Sequence, residues 1–339
     1  MKVITFGEIM MRLNPKGYLR FKQATELEIS YAGGEANVAV SLANYGVNVG
    51  FVTKLPNNEL GDSAENAVRM FGVDTSNIVR GGNRLGKYFI EKGASQRPSK
   101  VIYDRAGSSI AEAEVSDFDW DSIFEGVDWF HFTGITPALG GNNPEICLQA
   151  CKIAKQKGIT ISCDLNFRKK LWTREEARKV MSKLISYVDV CISNEEDAYD
   201  VFGIKADNTD IESGKIDNEG YISVAKQINE KFGCSKVAIT LRGSLSASVN
   251  EWAGMLYVDG KAYFSPKYTI QIVDRVGGGD SFGGGIIYSL LNNYSNQDTI
   301  NFAVAASALK HTIEHDFNMV SVSEVKSLAG GNSSGRVQR

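Results

Sequence analysis

The sequence predicts a three-layer α/β/α sandwich with a small second sheet, and three patterns support this prediction. From Trp129 onward, apolar strand-like runs alternate with segments of helical spacing, which indicates a parallel sheet covered by helices on both faces. The ranges 10–31 and 86–104 instead alternate apolar with polar residues, which is the period of half-exposed strands. A glycine run, 277–279, stands where a strand-like segment passes into a long helix.

The individual elements follow from hydrophobic spacing and from Gly and Pro boundaries. Main-sheet strands are predicted over 2–6, 49–54, 129–133, 159–164, 188–193 and 236–240, and an antiparallel meander over 246–250, 254–258 and 261–264. Helices are predicted over 36–45, 59–71, 144–157, 174–186, 195–201, 221–232, 280–292 and 298–314. Four half-exposed strands, 10–14, 26–31, 86–92 and 99–104, form a separate lid. We assign residues 1–328 to one domain that includes this lid, and expect the Gly/Ser-rich range 329–339 to be disordered.

Composition excludes several classes of function. The 339 residues carry a net charge of −3, which argues against a nucleic-acid partner. No apolar run approaches the roughly 18 residues of a membrane span, and the N-terminus lacks the features of a signal peptide. Five cysteines without a CxxC pair are typical of reduced thiols, so we expect a cytoplasmic protein. Only three histidines occur, which disfavours a His-based zinc site, although His131 stays open as a base.

The strongest indication of chemistry is a glycine run followed by a carboxylate, Gly277-Gly278-Gly279-Asp280, at the predicted start of a helix. Glycines at a helix N-terminus leave backbone N–H groups free, and with the helix dipole these form an anion hole. A carboxylate there would repel a phosphate unless it acts as a base, so Asp280 is the candidate that deprotonates an attacking hydroxyl. The alternative is an ordinary turn in which Asp280 caps the helix.

Two motifs carry a resemblance to a known family. The run Gly277–Asp280 followed by SFGGG resembles the C-terminal signature of the ribokinase-like (PfkB) carbohydrate kinases, and Gly33-Gly34-Glu35-Ala36-Asn37 resembles their N-terminal signature. The resemblance runs from Val3 to about Val325. It implies a ribokinase-like sandwich with a β-lid, ATP and Mg²⁺ as cofactors, and a homodimer or larger homo-oligomer formed through the lid.

Within this family, four segments are most similar to the 2-keto-3-deoxygluconate kinases. They are GEIMMRLNP at 7–15, VIYDRAGSSI at 101–110, CDLNFRKKLW at 163–172 and FAVAASALKHT at 302–312. The implied substrate is a small sugar acid. Arginine binds a carboxylate through two parallel hydrogen bonds, so Arg105 and Arg168 are the expected contacts of its acid group. The alternative for both is an ordinary salt bridge.

The resemblance implies roles for further residues. The substrate-binding set is Gly34, Tyr88, Tyr103, Arg105, Arg168 and Asp316, and the nucleotide-binding set is Asn194, Thr240, Arg242, Gly243, Ala305 and Ala306. Asp280 is the implied base, with the amides of Gly277, Gly278 and Gly279 as the anion hole. Asp197, where relatives have Glu, is the implied magnesium residue, acting through water, with Glu195 and Glu196 as alternatives. Plain helix packing is the alternative role for Ala305 and Ala306.

Other functions stay open at this stage. A fructokinase or a ribokinase of the same family would not need Arg105 and Arg168 to converge. A non-catalytic sugar- or nucleotide-binding protein on this scaffold would have no use for Asp280 beside the phosphate site. An oxidoreductase is a distant third, because no glycine fingerprint follows the first strand. In relatives a monovalent-cation site begins at the position of Asp274, but Arg275 replaces the usual small hydroxyl residue, so no such site is predicted.

Overall fold

A large sheet organises the chain, whose computed structural model describes residues 1–205, 218–332 and 335. The first strands are β1 (Lys2–Phe6), β2 (Met10–Asn14), β3 (Glu28–Ala32), β4 (Asn48–Leu55), β5 (Ile78–Arg80), β6 (Lys87–Glu91) and β7 (Lys100–Asp104). The later strands are β8 (Trp129–Thr133), β9 (Thr160–Asp164), β10 (Val190–Asn194), β11 (Lys236–Ser244), β12 (Val249–Val258), β13 (Lys261–Phe264) and β14 (Tyr268–Gln271).

Helices connect these strands. They are α1 (Gly34–Asn44), α2 (Glu59–Arg69), α3 (Trp120–Ile123), α4 (Ile135–Ala138), α5 (Asn143–Gln156), α6 (Arg174–Leu184), α7 (Glu195–Phe202), α8 (Asn218–Phe232), α9 (Gly278–Leu291), α10 (Asn296–Lys310) and α11 (Val322–Ala329). Short 3₁₀ turns occupy Val115–Asp117 and Ile185–Tyr187.

The main sheet has the order β13-β12-β11-β10-β9-β8-β1-β4-β5, and β14 also pairs with β12. All strands from β11 to β5 in this order run parallel, whereas β12 pairs antiparallel with its neighbours. The parallel strands bring their carboxyl ends to one edge, where open α/β sheets bind ligands. Of the candidate site residues, Arg168 follows β9 and Asp197 follows β10.

Two apolar cores flank this sheet, which confirms the predicted α/β/α class. One face packs against α3, α5, α6, α7 and α8 around residues such as Ile146, Ala177 and Ile228. The opposite face packs against α1, α2, α9, α10 and α11 around Leu42, Phe282 and Val304. Helices α9 and α10 lie against each other, because Gly285 admits the backbone of Ala303: a Cβ at Gly285 would lie 2.6 Å from the Cα of Ala303.

The lid is a separate four-stranded sheet of order β3-β2-β6-β7. Strands β2 and β6 pair in parallel at its centre, and β3 and β7 form antiparallel edges. Its inner face carries a small apolar cluster of Met10, Ala32, Tyr88 and Ile90, against which Val276, in the loop before α9, packs. The predicted lid strands are therefore present, and their buried face rests on the loop that leads into α9.

Several predicted boundaries are wrong. The ranges 246–250 and 254–258 are not two strands of a meander, since β12 runs continuously from Val249 to Val258 and bonds β11 along nearly its whole length. Strand β5 and helices α3, α4 and α11 were not predicted; β5, α3 and α4 have only three or four residues each. Of the expected disordered tail, Ala329 ends α11, and residues 333–334 and 336–339 lie outside the described part of the chain. Within the described residues, no helix is both long and apolar enough to cross a membrane.

Candidate active site

The glycine run begins α9 as predicted, but Asp280 is not its cap. Gly277 is the N-cap residue with φ 83°, and a Cβ there would lie 2.1 Å from the carbonyl oxygen of Asp316. Gly279 faces open space. The N–H groups of Gly279 and Asp280 have no acceptor within the helix, because they belong to its first turn. The N–H of Gly278 points to the carbonyl of Arg275 at 3.4 Å, so its expected place in the anion hole is the weakest of the three glycines.

Asp280 lies in the first turn of α9, half-buried beneath the lid. Its Oδ2 accepts a 2.6 Å hydrogen bond from Nδ2 of Asn37 on α1. Burial raises the pKa of Asp280 to about 7, the Asn37 hydrogen bond opposes this, and the Asp316 carboxylate adds to it. A carboxylate with a pKa near neutrality is suited to take a proton and to release it.

A pocket above Asp280 brings the predicted substrate residues together. Its walls include Gly34, Tyr88, Tyr103, Arg105, Arg168, Asp280 and Asp316, and also Glu8, Glu35, Asn37, Asn166 and Val276. Gly34 lies at the wall beside the carboxylate: a Cβ there would be 3.6 Å from Oδ1 of Asp280. Segments that are far apart in sequence therefore converge at this pocket.

The two arginines differ in their partners. Nε of Arg105 donates to Oε2 of Glu8 at 2.8 Å, its Nη2 forms a closer contact with the same oxygen, and both side chains are buried. Ser108 donates to the other oxygen of Glu8 at 2.8 Å. Arg168 has no carboxylate within ion-pair distance among the described residues, and its Nη1 donates to the Phe167 carbonyl at 3.1 Å. Arg168 is therefore the guanidinium available to an acid substrate, whereas Arg105 already forms the alternative salt bridge.

Tyr88 and Asp316 face the pocket but are bonded to each other. The Tyr88 hydroxyl lies 2.9 and 2.8 Å from the two oxygens of Asp316. Asp316 also accepts from Nη1 of Arg12, a fully buried residue of β2, at 2.5 Å. Tyr103 stands beside Tyr88, with ring centroids 6.1 Å apart, and the Arg105 guanidinium lies 5.3 Å from its ring centre.

The expected magnesium residues are engaged in the local fold. Asn194 caps α7, since its Oδ1 accepts from the backbone N–H groups of Glu196 and Asp197 at 2.9 and 2.8 Å. Asp197 accepts the N–H of Phe167 at 3.1 Å, and the side chain of Glu195 lies outside the described atoms. No group of three or more His, Cys, Asp or Glu in the described ranges is arranged to hold a metal. The role of Asp197 stays a prediction.

The structure does not support the nucleotide contacts expected at Ala305 and Ala306. Both side chains are fully buried in the core between α9, α10 and the sheet, which is the packing alternative. A groove does lie at the end of the same helix. It is lined by Ala308 and Leu309 of α10, by Thr312 just after α10, and on the opposite side by residues of β14 and α11. Thr240 is buried within β11, and Arg242 and Gly243 follow it on the same strand, with Arg242 exposed.

The order of strands, the lid and the glycine loop agree with what sequence comparison finds. The pfkB family of carbohydrate kinases matches residues 1–314. The chain belongs to this family. As a pfkB carbohydrate kinase it acts on a sugar substrate with ATP as the phosphoryl donor.

Individual relatives agree with the family. The kinase is 31% identical, over 334 residues and 98% of each chain, to a 2-dehydro-3-deoxygalactonokinase of Haloferax volcanii. A crystal structure of 2-dehydro-3-deoxygluconokinase from Thermotoga maritima is 52% identical with a TM-score of 0.94, and 98% of each chain is covered. A crystal structure of a putative ribokinase II of E. coli, in complex with ATP and Mg²⁺, is 20% identical with a TM-score of 0.81, and 97% of this chain and 99% of that chain are covered. At this identity the similarity shows only that the two proteins share a fold.

Sequence reasoning missed several residues of this kinase's site. Glu8, Asn37 and Asn166 line the pocket, and Arg12 lies behind it. Asn166 has φ 39°, an unusual value for a residue other than glycine, at the turn after β9. Asn37 belongs to the N-terminal signature and Asn166 to CDLNFRKKLW, so both stood in motifs already noted. His131 is buried against Ser162, and burial lowers its pKa to about 3, so it is not a base.

Proposed function

We propose that this kinase transfers the γ-phosphoryl group of MgATP to the terminal hydroxyl of 2-keto-3-deoxygluconate, giving the 6-phosphate. The observation that carries the proposal is the position of Asp280, beside free N–H groups of α9 and in one pocket with Arg168, whose guanidinium has no carboxylate partner among the described residues. A base, an anion hole and a cation for a carboxylate are what phosphorylation of a sugar acid needs. Two relatives, at 52% and 31% identity, bear the names of keto-deoxy sugar acid kinases, which supports this substrate class.

The chemistry follows from the charges. Asp280, with a pKa of about 7, is largely ionised just above neutrality and accepts the proton of the attacking hydroxyl. Phosphoryl transfer needs positioning and charge stabilisation more than covalent help from the protein. The amides of Gly277, Gly279 and Asp280 and the dipole of α9 face the oxygens on which negative charge collects. Arg168, in the wall of the same pocket, holds the acid group while the terminal hydroxyl lies at Asp280.

The nucleotide is proposed to lie along β14 and α10. The groove lined by Ala308, Leu309 and Thr312 borders β14, and β14 leads directly into the loop that begins at Asp274. A base in this groove would direct its phosphates toward the start of α9. Burial lowers the pKa of Arg275, and the nearby Arg242 cation lowers it further, so two cations lie near each other beside the loop before α9. We therefore retain Thr240, Arg242 and Gly243 as proposed nucleotide-binding residues. We assign the base of the nucleotide to the groove, not to Ala305 and Ala306.

The magnesium that accompanies ATP would enter an acidic region. Burial raises the pKa of Asp164 well above its ordinary value, and the carboxylates of Asp197 and Asp280 raise it further. A divalent cation relieves such repulsion. We propose that a metal carried by the nucleotide is held partly through water at Asp197.

The proposal includes self-association through the lid. Ile29 and Ile102 lie on the two edge strands of the lid and are 61% and 55% exposed. Edge strands with apolar side chains pair readily with a second copy. Sedimentation should give a dimer that Ile29→Lys dissociates, and a monomeric wild type would contradict this part. A cytoplasmic location fits the five free, buried cysteines.

The first test measures ADP release with MgATP and, in parallel, 2-keto-3-deoxygluconate, its galactonate-derived epimer, fructose and ribose. We expect turnover with the sugar acids and a loss of about 100- to 10,000-fold in Asp280→Asn, which removes the base and keeps the shape. Preference for a neutral sugar would contradict the role of Arg168 and leave the base intact. Calorimetric binding of these ligands without any turnover would instead support a binding protein.

A further inference from the structure

A buried arginine joins the lid to the catalytic loop. Arg12, on lid strand β2, is completely shielded from solvent. Its Nη2 lies 2.5 Å from Oδ2 of Asp274, and its Nη1 lies 2.5 Å from Oδ1 of Asp316. The remaining Nε donates to Asn14 on the same strand at 3.1 Å. The guanidinium is therefore bonded on each of its three nitrogens, and Arg12 stands behind the pocket wall without lining it.

The two carboxylates hold opposite sides of the loop that carries the anion hole. Asp274 stands at the start of the loop, and its Oδ1 accepts the N–H of Val276 at 3.2 Å. Asp316 comes after α10, and its backbone carbonyl is packed so closely on Gly277 that a Cβ at Gly277 would lie 2.1 Å from it. Arg12 thus fixes the distance between Asp274, where the loop begins, and Asp316, whose backbone packs on Gly277.

The charges of this cluster balance within the protein. Lys310, which is also fully buried, donates to the carbonyls of Asp274 and Ile313 at 3.4 and 3.2 Å. Two cations, Arg12 and Lys310, therefore accompany the two carboxylates. Tyr88 of lid strand β6 adds a neutral donor to Asp316. A cluster of this kind is destabilised strongly when one member is lost, and much less when a cation and a carboxylate are removed together.

We propose that Arg12 is a positioning residue for phosphoryl transfer, which seats the anion-hole loop against the lid through Asp274 and Asp316. The proposal rests on the proposed function, since it is measured through the kinase reaction. Its consequence is that the loop takes its catalytic position only with the lid in place, because Arg12 belongs to the lid. Val276 supports the same coupling, since it packs on the apolar cluster of the lid.

A second lid-to-core ion pair provides the matched control. Lys92, just after β6, lies 2.6 Å from Glu314, in the segment that leads from α10 to Asp316. This pair joins the same two parts of the molecule without touching the loop from Asp274 to Gly277. If anchoring the lid were all that mattered, breaking either pair would have the same effect on catalysis.

The experiment compares Arg12→Met, Arg12→Met/Asp274→Asn and Lys92→Met. The Asp274→Asn change keeps a side-chain oxygen for the Val276 N–H, and the double variant leaves Lys310 to balance Asp316. Thermal unfolding, kcat and both KM values are measured for each variant, relative to wild type. Wild-type turnover by itself decides the proposed function, and the ratios between variants decide the role of Arg12.

We expect Arg12→Met to unfold at lower temperature and to lose at least about tenfold in kcat. The double variant should recover most of the unfolding temperature and little of the kcat, because balanced charge does not restore the bridge between lid and loop. Lys92→Met should keep kcat within about twofold. Recovery of kcat together with stability in the double variant, or an equal loss in Lys92→Met, would overturn the proposal.

A pH profile gives a readout that a purely structural role would not move. Asp280 is faced by Asn37 and Glu35 of α1, Asp164 of β9, Arg168, Lys310 and Asp316. Loss of the Arg12 charge leaves Asp316 less neutralised, and the Asp316 carboxylate adds to the effect of burial in raising the pKa of Asp280. The acidic limb of kcat should therefore move to higher pH in Arg12→Met. If kcat falls in Arg12→Met but the acidic limb of its pH profile stays at the wild-type pH, the proposed link from Arg12 through Asp316 to Asp280 is wrong.

Discussion

Asn37 on α1 donates its side-chain amide to Oδ2 of Asp280 on α9, at 2.6 Å and across 243 positions of the chain. Each residue comes from one of the two glycine-containing signatures, so the hydrogen bond joins the two signatures in the structure. The bond favours the ionised form of Asp280 and so opposes the effect of burial on its pKa.

Asn37→Ala should move the acidic limb of kcat/KM upward from about pH 7, by roughly half a unit to one unit. The reason is that loss of the donor removes the interaction that lowers the pKa of Asp280. Activity should then fall more at pH 6 than at pH 8. Asn44→Ala is the control, because Asn44 is on the same helix and donates to Asn318, away from the pocket. A limb at the same pH in both variants would contradict the assignment of Asp280 as the base.

Asp280→Asn should become more stable than the wild type as the pH rises. The folded protein holds a proton on Asp280 up to about pH 7, whereas an ordinary aspartate releases it near pH 4. The stability from that proton is present below about pH 4 and is lost as the pH rises through 7. Chemical denaturation should show little difference at pH 4 and a gain of about 1 kcal/mol or more at pH 8. A difference independent of pH would mean that the pKa of Asp280 is not raised.

Arg168→Met should weaken sugar acid binding selectively. Loss of a charge-assisted contact to the substrate carboxylate raises KM for the sugar acid by about ten- to a hundredfold and leaves KM for ATP unchanged. Lys169→Met, which removes the exposed neighbouring cation, is the control. Equal effects of the two variants would indicate general electrostatic attraction in place of a specific contact.

Arg105→Met should act mainly on stability. It leaves buried Glu8 without its cation, a loss of about 3–5 kcal/mol for a buried ion pair broken on one side. Arg105→Met/Glu8→Gln should recover a large part of this loss. If Arg105→Met were as stable as the wild type and only sugar acid binding suffered, the earlier expectation of a substrate contact would be correct after all.

Gly279→Ala and Gly277→Ala should separate catalysis from folding. A methyl group at Gly279 meets nothing within 4 Å, so the fold tolerates it, but it stands at the mouth of the anion hole and should lower kcat about tenfold or more. Gly277→Ala combines φ 83° with an overlap at Asp316, and should destabilise the fold by more than about 1 kcal/mol. Unfolding curves and kcat for both variants check this, and an unchanged kcat in Gly279→Ala would place the transferred group elsewhere.

The sequence was sufficient for most of the architecture, because hydrophobic period reports directly on burial in strands and helices. It also identified Asp280, Gly34, Arg168, Tyr88, Tyr103 and Asp316 as residues that the structure brings to one pocket. It did not identify ionic partners. Nothing in the spacing along β2 indicates that Arg12 meets Asp274 and Asp316, because those distances depend on how the lid rests on the sheet.

The nucleotide side was harder to predict for a different reason. Helix α10 is apolar around most of its circumference, so its sequence does not reveal which face borders a groove. Ala305 and Ala306 are fully buried in the core, whereas the partly exposed Leu309 and the almost fully buried Ala308, about one turn later, line the groove. Small side chains alone were thus an ambiguous indication of an adenine site.

The convergence of early and late segments also determines when a growing chain can act. Strand β1 lies between β4 and β8, and α1 packs on α9, so the first residues synthesised wait for the last elements before their surroundings are complete. A nascent chain carries Gly34 and Asn37 long before Asp280 leaves the ribosome. Because folding proceeds from the N-terminus during synthesis, an unfinished chain carries Gly34 and Asn37 without Asp280, the residue that we propose as the base. With Asp280 as the base, we expect partial chains of this kinase to be unable to consume ATP by this route.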